Sequence, residues 1–366
     1  MTLKRICALI GMLSLTITAS FSRLEAAAVD TSYTVEDSTI AVGDHVLSTR
    51  FFRPSAKPRF PVVLLAFGSG DKSAIGDASA RQLAAAFASR GTGALVFDKR
   101  GTGASTGLLT GSDFAALGQD AAALVRYLQA RPQVECVGAW GVSQFGWIAP
   151  TVVKACPNLC FAILVSPAGV NPHEQVAWFL YRQALSWGLS SQQAAEAERM
   201  HRAVALYYAG RSSWQTAQKE VDRHAHAPWF HRVVTHPYWD EMTPEGRILT
   251  PDSLARALEK RPGDFEIYRA PSSFVDYRPE YQTLRSLPTM IIYGAEDQLV
   301  PIERSRAVLD EVLRSDPRYP HEFRTIAGAS HDIQTPDGRF VPEYLTFVTD
   351  WARMRFDACK CTDRPK

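Results

Sequence analysis

Short runs in which nearly every residue is apolar recur along this chain, at 60–67, 94–97, 134–140, 161–165 and 289–293. A strand apolar on both faces must be covered on both sides, which is the condition inside a parallel sheet. The intervening segments have helical spacing. Residues 78–89 are alanine-rich and stop at Gly91, and 114–130 place Leu117, Ala121, Leu124, Val125 and Leu128 on one face. A third helical pattern follows residue 146. Near the end come a helix over 302–313, a strand over 321–326 and a helix over 341–356. This alternation predicts an α/β fold, a mostly parallel central sheet flanked by helices. Ahead of it, weak alternation over 33–52 around Gly43-Asp44 predicts an antiparallel hairpin.

Between 168 and 279 the rhythm breaks. That segment is rich in Ala, Gln, Arg and His, and carries Trp178, Trp187, Trp214, Trp229 and Trp239. It reads as an inserted, mainly helical cap dividing the core into 29–167 and 280–366; the cap would shape an apolar pocket, with most of its tryptophans serving as packing.

Residues 1–28 have the layout of a cleaved signal peptide: Lys4 and Arg5, an apolar run over 6–17, and Ala26-Ala27-Ala28 before Val29. The run is short for a membrane span, so the expectation is an exported protein, periplasmic or secreted, with no stable membrane insertion after cleavage; a retained N-terminal anchor is the alternative. The mature chain of about 340 residues is long enough for a substantial core. A formal net charge of +2 gives no electrostatic footprint for nucleic acid or a membrane surface. In an oxidising compartment Cys136–Cys160, or alternatively Cys156–Cys160, could bridge, with Cys359 and Cys361 further along. No cysteine spacing resembles a metal site.

The strand at 134–140 runs into Gly141-x-Ser143-x-Phe145-Gly146 and then a helix. Strand, sharp turn, serine and helix is the setting of a nucleophile elbow, which exposes the hydroxyl above the sheet and aims a helix N-terminus at it. Serine needs a base, and the base needs an orienting acid. Asp297 follows the strand at 289–293 and His331 follows the last strand, so all three lie beyond the carboxyl ends of parallel strands. Glu296 and Asp332 adjoin them. His321, His173, His224, His226 and His231 lack this placement. For a developing oxyanion, the expected donors are the backbone N–H of Gln144 and that of Ser69, in the Gly68-Ser69-Gly70 turn. The stretch Asp98-Lys99-Arg100-Gly101-Thr102-Gly103 lacks phosphate-loop spacing and reads as a structural turn beside the pocket mouth.

These pieces, together with the segment from Gly294 through Asp297 to Pro301, resemble the α/β-hydrolase superfamily, in particular bacterial esterase-like and serine aminopeptidase-like serine hydrolases. The resemblance covers 60–167 and 288–356 and implies a Ser143, Asp297 and His331 triad that needs no cofactor. Two positions depart from it. Phe67 stands where relatives carry histidine before the oxyanion-loop glycine, and Phe145 stands where they carry glycine. The first departure bears on the loop holding Ser69; the second would reshape the elbow or narrow the acyl pocket. The expected function is hydrolysis of a small-molecule carboxylic ester through an acyl-enzyme. A peptidase or amidase of the same fold and a non-catalytic binding protein are the alternatives.

Overall fold

The computed structural model describes residues 30–109, 113–235, 245–260, 266–314 and 320–359. The signal-peptide expectation, Trp239 and Cys361 lie outside them. In chain order the elements are β1 (Tyr33–Val42), β2 (His45–Pro54), β3 (Phe60–Ala66), α1 (Ala78–Ala88), β4 (Gly93–Phe97), α2 (Phe114–Gln129), β5 (Val134–Val142), α3 (Phe145–Ala155) and β6 (Ala162–Val165). Then come α4 (Pro172–Ser186), α5 (Ser191–Tyr208), α6 (Trp214–His224), α7 (Phe230–Val234), α8 (Pro251–Lys260), α9 (Glu266–Arg269) and α10 (Arg278–Tyr281). The chain closes with β7 (Thr289–Gly294), α11 (Ile302–Leu313), β8 (His321–Ile326) and α12 (Tyr344–Ala358).

The strands form one sheet in the order β1-β2-β4-β3-β5-β6-β7-β8. From β4 to β8 neighbouring strands are parallel; β2 is antiparallel to both β1 and β4. Period-two geometry splits each central strand between two cores. Val62, Leu64 and Ala66 of β3 face the side covered by α2, α3 and α11, while Val63 and Leu65 face α1 and α12. The order reverses between β3 and β5, so the loops leaving their carboxyl ends diverge and open a crevice there.

The helices from α4 to α8 bury a hydrophobic cluster of their own, built on Leu180, Met200, Tyr208, Trp229 and Phe230. Helix α12 begins at Tyr344, three residues later than its apolar spacing suggested. Glu343 sits in the left-handed region at φ 69°, which no helix interior tolerates. The cysteine pairing also differs from both expected bridges. Cys160 is bonded to Cys359, and Cys136 is disulfide-bonded too, while Cys156 is a buried free thiol. Both expected bridges join cysteines of neighbouring segments, whereas α12 packs back on the sheet and brings Cys359, the residue after its end, to Cys160 just ahead of β6.

Candidate active site

Ser143 stands at the tip of the turn joining β5 to α3, at φ 55°. A serine pays for that conformation, and three contacts impose it. Its N–H donates to Val165 O at 2.8 Å, its carbonyl accepts from Gly146 N–H at 2.9 Å, and β5 and β6 clamp the strand end. Glycine at two positions is a matter of space. A methyl at Gly141 would overlap the Phe145 ring, and one at Gly146 would stand 2.7 Å from Pro167 Cβ. Phe145 is therefore folded back over Gly141 into the core beside α2, and is buried. It is not among the residues that line the cavity at Ser143.

Asp297 and His331 come together. The loop after β7 holds Asp297 fully buried, where one carboxylate oxygen accepts from Leu299 N–H at 2.7 Å and Val300 N–H at 3.2 Å. The other oxygen accepts from His331 Nδ1 at 2.8 Å. His331 feels burial most, which favours the neutral ring, but the hydrogen bond and charge of Asp297, with the charge of Asp332, outweigh it and raise its pKa above the ordinary histidine value. With Nδ1 engaged, Nε2 is left for chemistry. Ser143 and His331 line one cavity of about 410 Å³. Among the described residues no hydrogen bond joins the two side chains; contacts of this kind commonly tighten only in a Michaelis complex.

The Gly68-Ser69-Gly70 turn leaves β3 on the other side of the crevice. Gly68 comes so close that a methyl there would lie 3.3 Å from Ser143 Cβ. The Ser69 N–H has no hydrogen-bond partner among the described residues, and Gln144 N–H sits at the start of α3. Ser69 thus shares the cavity with Ser143, and Gln144 follows the serine in the chain. Phe67 packs on Trp140 with ring centroids 5.4 Å apart and forms part of the cavity wall.

Two residues that sequence reasoning passed over belong to this site. Ser166, buried at φ 46° at the end of β6, donates from Oγ to His331 O at 2.7 Å and so fixes the histidine loop. Lys99, in the turn after β4, lines the cavity and donates to Gly68 O at 2.6 Å and Gln144 Oε1 at 3.2 Å. Each stands directly beyond the carboxyl end of a parallel strand, the signal that picked out Ser143. The rest of the Lys99 turn is structural, with buried Asp98 accepting from Ser73 Oγ and Ile75 N–H. The apolar wall of the cavity is Phe67, Phe97, Trp140, Leu299 and Phe340. None of the described tryptophans of 168–279 lines it; Trp229 is buried in the cluster of the described helices, with Trp187 and Trp214 packed against that cluster, the packing role expected for most of them. Glu296 is exposed beside Asp297, and Asp332 lies on the cavity rim. Among the described residues no cluster of His, Cys, Asp or Glu is built to hold a metal ion.

The family model of the X-Pro dipeptidyl-peptidases (S15 family) matches residues 43–256, more than half of the 366-residue chain. Among solved structures the chain is similar to an esterase from Pyrococcus furiosus, at 14% identity and TM-score 0.53 over 89% of this chain and 91% of that one. It is similar to the α/β-hydrolase GrgF from a Penicillium species, at 18% identity and TM-score 0.52 over 89% and 98%. It is also similar to a proline iminopeptidase from Mycobacterium smegmatis, at 18% identity and TM-score 0.51 over 88% and 99%. At these identities the likeness is one of fold, the α/β-hydrolase fold. No curated protein matches the chain by sequence.

Proposed function

The chain belongs to the X-Pro dipeptidyl-peptidase (S15) family of α/β-hydrolases, so its reaction is a hydrolysis, and we propose that it cleaves carboxylic esters through an acyl-enzyme on Ser143. The observation that carries this is the Asp297–His331 hydrogen bond at 2.8 Å on the same cavity as a serine held at positive φ. His331 Nε2 takes the Ser143 proton as Oγ attacks the ester carbonyl, and Asp297 stabilises the imidazolium that forms. Ser69 and Gln144 N–H groups receive the oxyanion. His331 then returns its proton to the leaving alkoxide. Water, activated by the same histidine, attacks the acyl-enzyme and releases the acid. The aromatic wall suits an apolar acyl or alkoxy group.

Family membership favours a second reading, in which the scissile bond is an amide. Such a substrate brings a leaving amine to protonate, and commonly an N-terminal ammonium to hold; of the acidic cavity residues, Asp77 is committed to capping α1 and Asp332 is the one placed to do so. A chain-length series of p-nitrophenyl esters beside a panel of aminoacyl- and X-Pro-anilides separates the two. Ester turnover abolished in Ser143→Ala is the expected result. Turnover of anilides alone would transfer the assignment to peptides, and no turnover by a labelled serine would remove both. Export fits the same picture: the signal-like residues 1–28 and a disulfide between Cys160 and Cys359 support a periplasmic or secreted enzyme, with a mature N-terminus at Val29 as its test.

A further inference from the structure

We propose that Lys99 is a positioning residue of the oxyanion hole, its ammonium tying the peptide that carries the Ser69 N–H to the side chain of Gln144 and so holding both donors against Ser143. The inference rests on the hydrolysis proposed above and extends it to a residue outside the triad.

Gly68 C=O and Ser69 N–H are the two ends of one peptide group. All described peptides are trans, so these two bonds point in opposite directions across a rigid plane. A hydrogen bond of 2.6 Å from Lys99 Nζ to Gly68 O therefore also sets where the Ser69 N–H points. A cation on the carbonyl further polarises the peptide and strengthens the N–H as a donor. The second bond, to Gln144 Oε1 at 3.2 Å, holds the buried side chain of the residue whose own N–H is the other donor. Gly68 itself meets the elbow by van der Waals contact, and a methyl there would lie 3.3 Å from Ser143 Cβ.

Burying an ammonium is costly, and a lysine kept merely to fill space would be replaced without loss by an apolar chain. No carboxylate lies within ion-pair distance of Lys99 among the described residues. Its surroundings explain its proton affinity. Burial lowers the pKa to about 8, and Asp71 partly opposes this. Asp98 is committed to Ser73 and Ile75, and Asp120 to Arg100 and His45. Across the cavity stand Lys72, Asp77, His331 and Asp332. The ammonium is thus present below about pH 8 and lost above it, whereas His331 must be neutral to act.

The test is the pH dependence of the second-order rate at which an alkyl fluorophosphonate labels Ser143, which reads oxyanion formation whatever the natural leaving group. Wild type should show a fall in rate near pH 8. Lys99→Met should label about 10- to 100-fold more slowly at neutral pH and lose that alkaline limb. Lys99→Arg, whose guanidinium keeps its proton, should retain most of the rate and also lose the limb. Melting curves report whether Lys99→Met is folded; if it is not, Lys99→Arg carries the test by itself. A limb near pH 8 that survives in Lys99→Arg, or a folded Lys99→Met labelling at the wild-type rate, overturns the inference. A wild type that is not labelled at all overturns instead the reading of Ser143 on which it rests.

Discussion

At the scale of single residues, the site turns on how Asp297 sets the behaviour of His331. The carboxylate is buried, anchored by two backbone N–H groups, and bonded to Nδ1 at 2.8 Å. Because a raised histidine pKa must be crossed from below before the ring is neutral, the proposed activity should be lost as pH falls through a value raised from that of an ordinary histidine. Asp297→Asn removes the charge and the acceptor. It should lower kcat/KM by about 10⁴-fold and move the remaining acid limb to lower pH; a pH–rate profile superimposable on wild type would contradict this. The residues legible in the sequence were those announced by a strand end and a chemical type together: Ser143, Asp297 and His331. Lys99 and Ser166 occupy the same kind of position. They escaped because their partners are backbone and side-chain oxygens from distant strands, contacts that no local spacing encodes.

At the scale of elements, the elbow shows how a motif can depart from its usual form and still keep its geometry. Phe145 stands in the place of a glycine, yet the strain sits at Ser143, and Gly141 supplies the room the Phe145 ring needs. The ring then belongs to the core under α3, away from the cavity. Phe145→Ala should therefore destabilise the protein by about 3–5 kcal/mol through a cavity in the core. Urea unfolding would show this as a lower midpoint at unchanged slope, and an unchanged midpoint would refute the packing assignment. Strand and helix positions were readable because all-apolar runs and helical spacing report burial directly. The start of α12 was not, since its apolar spacing runs on through Val341 while the backbone turns left-handed at Glu343.

At the scale of the molecule, the cysteines show where reading a chain in order stops working. Cys160 and Cys359 are 199 positions apart and meet only because α12 folds back against the sheet. Closing so long a loop restricts the unfolded chain, and Cys359→Ser should cost about 2–4 kcal/mol. Thermal unfolding of that variant tests this, with an unchanged melting temperature as the opposing result. The order of the sheet explains why the site lies where it does. The loops after β3, β4, β5, β6, β7 and β8 supply Ser69, Lys99, Ser143, Ser166, Asp297 and His331 in turn. Everything therefore depends on Ser143 being the nucleophile. The most direct test is to react the folded protein with a fluorophosphonate probe and map the adduct by peptide mass spectrometry, beside Ser143→Ala. One adduct per chain on Ser143, absent from the variant, is the predicted result. Equal labelling of wild type and variant, or an adduct on another serine, would contradict it.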